Sequence, residues 1–219
     1  MGWIVNAVEL LAKGGYVMIP LMLCSIVSVA VLIERHFRIK CAQSDVSEPV
    51  SRAVDLLYGG SFPAALKLLD SEDVPVTRVL AAGIRSSHLG ERGTERAMEE
   101  QGAREASLLT HRLGSLDTIV TIAPLLGLLG TVTGMISAFH VIARQQGMST
   151  PTAITGGVAE ALIATATGIA IAIVTLVGYN HLQERIKRIV AEMESRGTAM
   201  VNVLVEVGGR SDEDKRLSA

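Results

Sequence analysis

The sequence has 219 residues, of which 49% are hydrophobic, 19% charged and only 3% aromatic, and its mean hydropathy is +0.40. The 20 Lys and Arg residues nearly balance the 22 Asp and Glu residues, which excludes the basic surface of a nucleic-acid-binding protein and the high net charge of a disordered chain. Two cysteines are too few for a disulfide framework. The positive mean hydropathy indicates a membrane protein, and the length fits one or two domains.

Three stretches of the chain contain no Asp, Glu, Lys or Arg, at residues 14–33, 118–139 and 161–180. Each has about 20 residues, and a helix of that length rises about 30 Å, which matches the hydrocarbon core of a bilayer. A helix satisfies its own backbone hydrogen bonds in lipid, whereas a buried helix of a soluble bundle usually carries a polar stripe. We therefore predict an all-α integral membrane protein with transmembrane helices at 14–33, 118–142 and 157–180.

The charges that flank these spans predict the orientation of the chain. Eleven Lys and Arg residues lie in 34–117 and seven in 181–219, but only Lys13 and Arg144 lie elsewhere. Cations next to the end of a span are retained in the cytoplasm. Those nearest to the first and third spans are Arg35, Arg38, Lys40, Arg185, Lys187 and Arg188. The N-terminus is therefore predicted to lie outside the membrane and the C-terminus in the cytoplasm.

The remaining segments follow from this orientation. Residues 1–13 mix apolar and polar side chains, and we predict an amphipathic helix on the outer membrane surface. We assign residues 34–117 to a cytoplasmic helical domain and residues 143–156 to a short outer loop. Residues 181–219 are predicted to form a cytoplasmic helical extension that ends in a charged tail.

Short helices are predicted within the cytoplasmic domain. Ser61 precedes Phe62 and Pro63, which is the pattern of an N-cap followed by an early proline, and residues 76–86 form a further short helix after a proline. No cluster of Gly and Pro interrupts the sequence from Thr94 to the second span. One long helix is therefore predicted to run from Thr94 into that span.

The second span carries a face of small residues. Spacings of three and four place the following residues on one side of a helix: Pro124, Gly127, Thr131, Gly134 and Ala138. Gly130 and Gly134 also form a G-x-x-x-G pair, which lets two membrane helices approach closely. We predict that Pro124, Gly127, Gly130 and Gly134 are helix-packing residues.

The third span repeats this pattern with Ala161, Thr165, Gly168, Ala172 and Thr175, and Gly168 is predicted to be a further packing residue. Two interpretations of the threonines stay open. Thr131 and Thr165 either line an ion pathway or bond to a carbonyl of their own helix, as membrane threonines commonly do.

Glu160 is the carboxylate at the outer boundary of the third span. It either benefits from its place near a helix N-terminus, or attracts cations to a pathway or forms a buried ion pair. No ionisable Asp, Glu, Lys or Arg lies in the middle of a span, so a proton relay would need a carboxylate from a second chain. The histidines and cysteines lack the spacing of metal ligands, and we expect no metal, no cofactor and no enzyme activity.

Two long motifs resemble those of a known family. Residues 122–139 read IAPLLGLLGTVTGMISAF and residues 157–168 read GVAEALIATATG. They resemble the second-span and third-span motifs of the MotA/TolQ/ExbB proton-channel family. MotA has four spans, so the three spans and the orientation predicted above fit the ExbB and TolQ branch.

The resemblance implies a homopentamer in the bacterial inner membrane that acts as a molecular motor. The pentamer surrounds the single-span helices of two ExbD- or TolR-like subunits, whose membrane aspartate takes up and releases protons. A TonB- or TolA-like protein then carries force toward the outer membrane. On this resemblance, Thr131 and Thr165 match the pore threonines and Glu160 matches the family glutamate.

Two other functions are compatible with the same residues. The chain could be a scaffold that packs partner helices without conducting, or an accessory subunit of a transporter. The sequence leaves open whether the ion is a proton or sodium, because hydroxyl groups solvate both, and it leaves open which cargo is moved.

Overall fold

The computed structural model describes residues 15–144 and 151–217, with side chains for 15–140 and 155–209. The predicted helix at 1–13 lies outside the described residues. All regular elements within the described ranges are helical, as predicted. They are α1 (Met18–Ala42), α2 (Ser47–Tyr58), α3 (Phe62–Ser71), α4 (Pro75–Ser86), a 3-10 turn (Ser87–Leu89), α5 (Glu91–Thr110), α6 (Leu113–Arg144) and α7 (Pro151–Leu217).

Three of these helices, α1, α6 and α7, are long and apolar enough to cross a membrane, with mean hydropathies of 1.9, 2.0 and 2.2 over their most apolar windows. This confirms the prediction of three such helices. Large apolar side chains project outward from each of them, including Ile26, Phe139 and Leu162. A band of this kind is expected where lipid covers the surface. Helix α7 already begins at Pro151, so residues 151–156 are helical although they were expected in the outer loop.

The described chain divides into two compact units. The first, here the apolar unit, comprises the described residues of Met1–Arg35 and Arg112–His181. Its core is formed by residues of α1, α6 and α7, and three of the four core residues from α6 and α7 are alanines. The core residues are Met18, Leu21, Ile119, Ala123, Ala164 and Ala172.

The second unit, here the polar unit, comprises His36–His111 and the described residues of Leu182–Ala219. The predicted short helices are confirmed by α3 and α4, which bury Leu69 and Leu80. Ser61 occupies the N-cap position of α3, as predicted, but its hydroxyl makes no capping hydrogen bond. The predicted continuation of the third span is confirmed, since α7 runs on with Ile186 and Met193 buried at helical spacing.

One buried carboxylate ties α4 to α5 within the polar unit. Glu105, 3% exposed, accepts hydrogen bonds from Arg78 (2.7 Å) and Gln101 (2.8 Å). Burial would lower the pKa of Arg78, but hydrogen bonds to Asp73 and the charge of Glu105 outweigh it, so the pKa of Arg78 is raised. The Arg78 guanidinium therefore keeps its charge, and its hydrogen bond to Glu105 offsets part of the cost of burying that carboxylate.

The long helix predicted from Thr94 into the second span is wrong at residues 111–112. Helix α5 ends at Thr110 and α6 begins at Leu113, because Arg112 adopts a left-handed backbone with φ 66°. Arg112 also donates a hydrogen bond to Glu34 on α1, at 2.7 Å. Gly114 is the nearest glycine, but it lies inside α6, and no cluster of Gly and Pro marks the break in the sequence.

Candidate functional site

The contact between α6 and α7 is a seam of small residues within the apolar unit, here the α6–α7 seam. Its buried positions follow helical spacing on both helices. The buried residues that face the other helix are Ala123, Gly127, Gly130, Gly134 and Ala138 on α6, and Ala161, Ala164 and Gly168 on α7. Pro124, Thr131 and Thr165, which the sequence placed on these faces, are instead half-buried at the edge of the seam.

The glycines of the seam leave no room for a side chain. A Cβ on Gly127 would lie 2.9 Å from the Thr165 Cα, and a Cβ on Gly134 would lie 2.8 Å from the Gly157 carbonyl oxygen. A Cβ on Gly168 would overlap the backbone carbonyl of Ala123. Because backbone atoms oppose these positions, the two helices approach as closely as they do only where glycine stands.

Thr165 joins the two helices through a hydrogen bond. Its hydroxyl donates to the Gly127 carbonyl of α6 at 2.8 Å, whereas the Thr131 hydroxyl donates to Leu128 in its own helix at 2.6 Å. The two hydroxyls therefore bond to the carbonyls of consecutive residues of α6, Gly127 and Leu128. Both hydroxyl protons are used in these hydrogen bonds, so each hydroxyl oxygen is left to act as a hydrogen-bond acceptor.

A second polar contact, between α1 and α7, was not found from the sequence. Ser28, 2% exposed, and Thr175, 1% exposed, place their hydroxyl oxygens 2.7 Å apart. Thr175 donates to the Ile171 carbonyl at 2.7 Å, so Ser28 donates to Thr175 in this arrangement. Ser28 is one of two serines in the apolar run of α1, and its sequence context does not indicate a partner on α7.

Glu160 lies near the beginning of α7 and is half-buried. Its carboxylate lies against Gly15, the residue at which the described chain begins. The sequence alternatives for Glu160 did not include this contact. Between Glu160 and Thr165 the helix advances five residues, about 7.5 Å along its axis. Glu160 thus lies near the end of the third span, whereas Thr165 and Thr131 lie closer to the middle of the third and second spans.

The rest of the described chain offers little other chemistry. No group of three His, Cys, Asp or Glu residues in the described ranges is placed to hold a metal ion. A groove of about 450 Å³ in the polar unit lies between α4, α5 and α7 and is rimmed by Glu95, Glu99 and Glu194. None of the predicted site residues lines this groove.

Comparison with known proteins identifies the chain. Residues 71–195 match the MotA/TolQ/ExbB proton channel family. The chain belongs to this family. An ExbB-like biopolymer transport protein of Synechocystis sp. is 33% identical over 174 residues, which cover 76% of this chain and 80% of that protein.

Other relatives include both ExbB and TolQ proteins. The biopolymer transport protein exbB1 of Vibrio cholerae is 28% identical over 80% of this chain and 78% of its own length. The Tol-Pal system protein TolQ of Haemophilus influenzae is 39% identical over 45% of this chain and 42% of its own length. The resemblance to the ExbB and TolQ branch is therefore confirmed, and the chain is a multi-pass membrane protein.

The family match includes all of α6 and the part of α7 that carries Glu160 and Thr165, but it does not include α1.

Proposed function

We propose that this chain is the channel-wall subunit of a motor driven by the proton-motive force in the bacterial inner membrane. Several copies, a homopentamer on the family resemblance, would surround the single-span helices of an ExbD- or TolR-like partner. A TonB- or TolA-like protein would carry the resulting force. Membership of the MotA/TolQ/ExbB family supports the proposal, and so does the chemistry of the α6–α7 seam.

The observation that carries the proposal is the Thr165 hydroxyl on the Gly127 carbonyl, one turn from Thr131. It puts oxygen acceptors in the middle of two spans that contain no Asp, Glu, Lys or Arg. Such oxygens can solvate a proton or another small cation, but they cannot hold a proton at neutral pH. The group that titrates must then come from a second chain, which is the role of the partner's aspartate.

The driving force is large enough for mechanical work. A charge that crosses a potential of 100 mV releases about 2.3 kcal/mol. In this proposal Glu160 attracts cations at the outer end of the pathway, and Thr131 and Thr165 line its middle. The packing residues Pro124, Gly127, Gly130, Gly134 and Gly168 hold the wall together.

The proposed orientation follows the flanking cations. The N-terminus and residues 143–156 face the outside, with 1–13 on the outer membrane surface and spans at 14–33, 118–142 and 157–180. Residues 34–117 and 181–219 lie in the cytoplasm in this orientation.

Replacement of Thr165 by valine tests the proposed pathway. Thr165→Val keeps the shape of the side chain but removes the hydroxyl, and one hydrogen bond of about 1 kcal/mol corresponds to about fivefold in rate. We expect proton flux through liposomes containing the complex with its single-span partner to fall by at least about fivefold, with the oligomer unchanged. Flux is measured with a pH-sensitive dye trapped inside the liposomes.

Thr167→Val is the matched control. Thr167 lies on the same helix, but its hydroxyl donates to Ile163 of its own helix, and flux is expected to stay within about twofold of wild type. Equal flux in wild type and Thr165→Val would contradict the pathway role of Thr165 and favour a role in helix packing alone.

A further inference from the structure

Gly15 is one of three glycines in the described chain with a left-handed backbone, at φ 71°. The other two, Gly60 and Gly90, have φ 73° and 75°, and a Cβ at either would meet nothing within 4 Å. At Gly15 a Cβ would overlap the Glu160 Oε1 atom and would lie 2.9 Å from the Glu160 Cδ. Gly15 is therefore needed for two separate reasons, the backbone conformation and the space that the carboxylate occupies.

The position of Gly15 relative to Glu160 is set by packing. The Gly15 carbonyl accepts a hydrogen bond from the Met18 backbone N–H at 3.1 Å, which closes the turn that begins α1. Met18 is buried in the core of the apolar unit, and Val17 lies 3.8 Å from the position of a Cβ on Gly130. The beginning of α1 is thus held against α6, and it meets the Glu160 side chain of α7.

This geometry restricts where the carboxylate of Glu160 can lie. The carboxylate lies directly against the backbone of Gly15, which blocks any further movement of the carboxylate toward α1. A negative charge is also favourable beside the beginning of a helix. The beginning of α1 therefore limits the movement of the Glu160 carboxylate and also stabilises its negative charge.

We propose that Gly15 is a positioning residue for Glu160, and that the beginning of α1 sets the location of this carboxylate in the ion pathway. This inference rests on the proposed function, because it gives a role to Glu160 in flux. It adds the first span, which the family match does not include, to the parts of the chain on which conduction depends.

A size-compensation experiment tests this role. In the complex with its single-span partner, Gly15→Ala is expected to lower proton flux by at least about fivefold, because the methyl group displaces the carboxylate. Glu160→Asp alone is expected to lower flux as well, since the shorter side chain no longer reaches Gly15. The double variant Gly15→Ala/Glu160→Asp is expected to conduct better than Gly15→Ala, because the shorter acid leaves room for the methyl group.

Gly60→Ala is the matched control for backbone strain. Its left-handed backbone is equally unsuited to alanine, but its methyl group would meet no atom within 4 Å, and flux per folded complex is expected to match wild type. A merely structural role for Gly15 would lower the melting temperature without any recovery in the double variant.

Two outcomes overturn the inference. The first is flux in Gly15→Ala equal to that of Gly60→Ala while Glu160→Gln lowers flux, which would leave the proposed function intact. The second is a double variant in which the fold-loss of proton flux equals the product of the fold-losses of the two single variants. If Glu160→Gln conducts like wild type, the proposed role of Glu160 fails together with the positioning role. That result is recognised without any Gly15 variant.

Discussion

Gly168→Leu is expected to separate α6 from α7 and to eliminate the native-sized complex. A Cβ at Gly168 would already overlap the Ala123 carbonyl and would lie 3.3 Å from the Gly127 Cα. These are backbone atoms, so no side-chain rotation can make room, and the helices must move apart. Overpacking of this kind costs about 3 kcal/mol or more. The loss is measured by native mass spectrometry and by thermal melting of the helical circular dichroism signal in detergent.

Gly208→Leu provides the control in the same helix. A Cβ at Gly208 meets nothing within 4 Å, and leucine has a higher helix propensity than glycine by about 0.8 kcal/mol. This variant is expected to assemble and melt like wild type or slightly higher. Assembly of Gly168→Leu at wild-type levels would show that the α6–α7 seam is not a close contact in the membrane.

Liposomes that contain this chain alone are expected to conduct protons no faster than empty liposomes. The spans at 118–139 and 161–180 contain no Asp, Glu, Lys or Arg, so no side chain there can carry a proton through the middle of the membrane. A charge placed there without a compensating group costs about 3 kcal/mol, which corresponds to more than about a hundredfold in rate. Adding the single-span partner is expected to raise flux by at least that factor.

The control for this prediction is the same complex with the membrane aspartate of the partner replaced by asparagine. Flux is expected to return to the level of empty liposomes, while the complex keeps its size. Proton conduction by this chain alone, or full flux with the asparagine partner, would mean that the titrating group does not come from a second chain.

The architecture of the apolar unit was accessible from the sequence because lipid imposes a simple rule. A span must be long and must lack unpaired charge, and three stretches satisfied both conditions. The break at Arg112 was not accessible. It depends on a left-handed arginine whose side chain reaches Glu34, 78 residues away in the chain, and no local pattern encodes such a partner.

The small-residue faces predicted from the spacing differ from the buried positions by at most one residue on each helix. A rotation of one residue is about 100° around a helix, and glycines at 127, 130 and 134 make α6 small over a wide arc. Spacing therefore could not decide between Thr165 and Ala164 as the buried residue, nor between Thr131 and Gly130. The packing determines which of the two residues is buried, because the close approach of the helices at the centre of the seam leaves room only for Ala164 and Gly130.

Contacts across the fold were the least accessible from the sequence. Ser28 meets Thr175 across 147 residues, and Gly15 meets Glu160 across a similar distance in the chain. Neither pair has a spacing or a motif that connects its members. Both depend on how α1 packs against α7, which is a property of the folded unit.

We propose that copies of this chain form a ring in which Thr131 and Thr165, beside the α6–α7 seam, face a carboxylate supplied by another protein. Electron cryomicroscopy of the complex, purified in native lipid with its single-span partner, tests it most directly. We expect a closed ring with a partner helix inside and with Thr131 and Thr165 turned toward that helix. An assembly without a central passage, or one with these threonines facing the acyl chains, would contradict it.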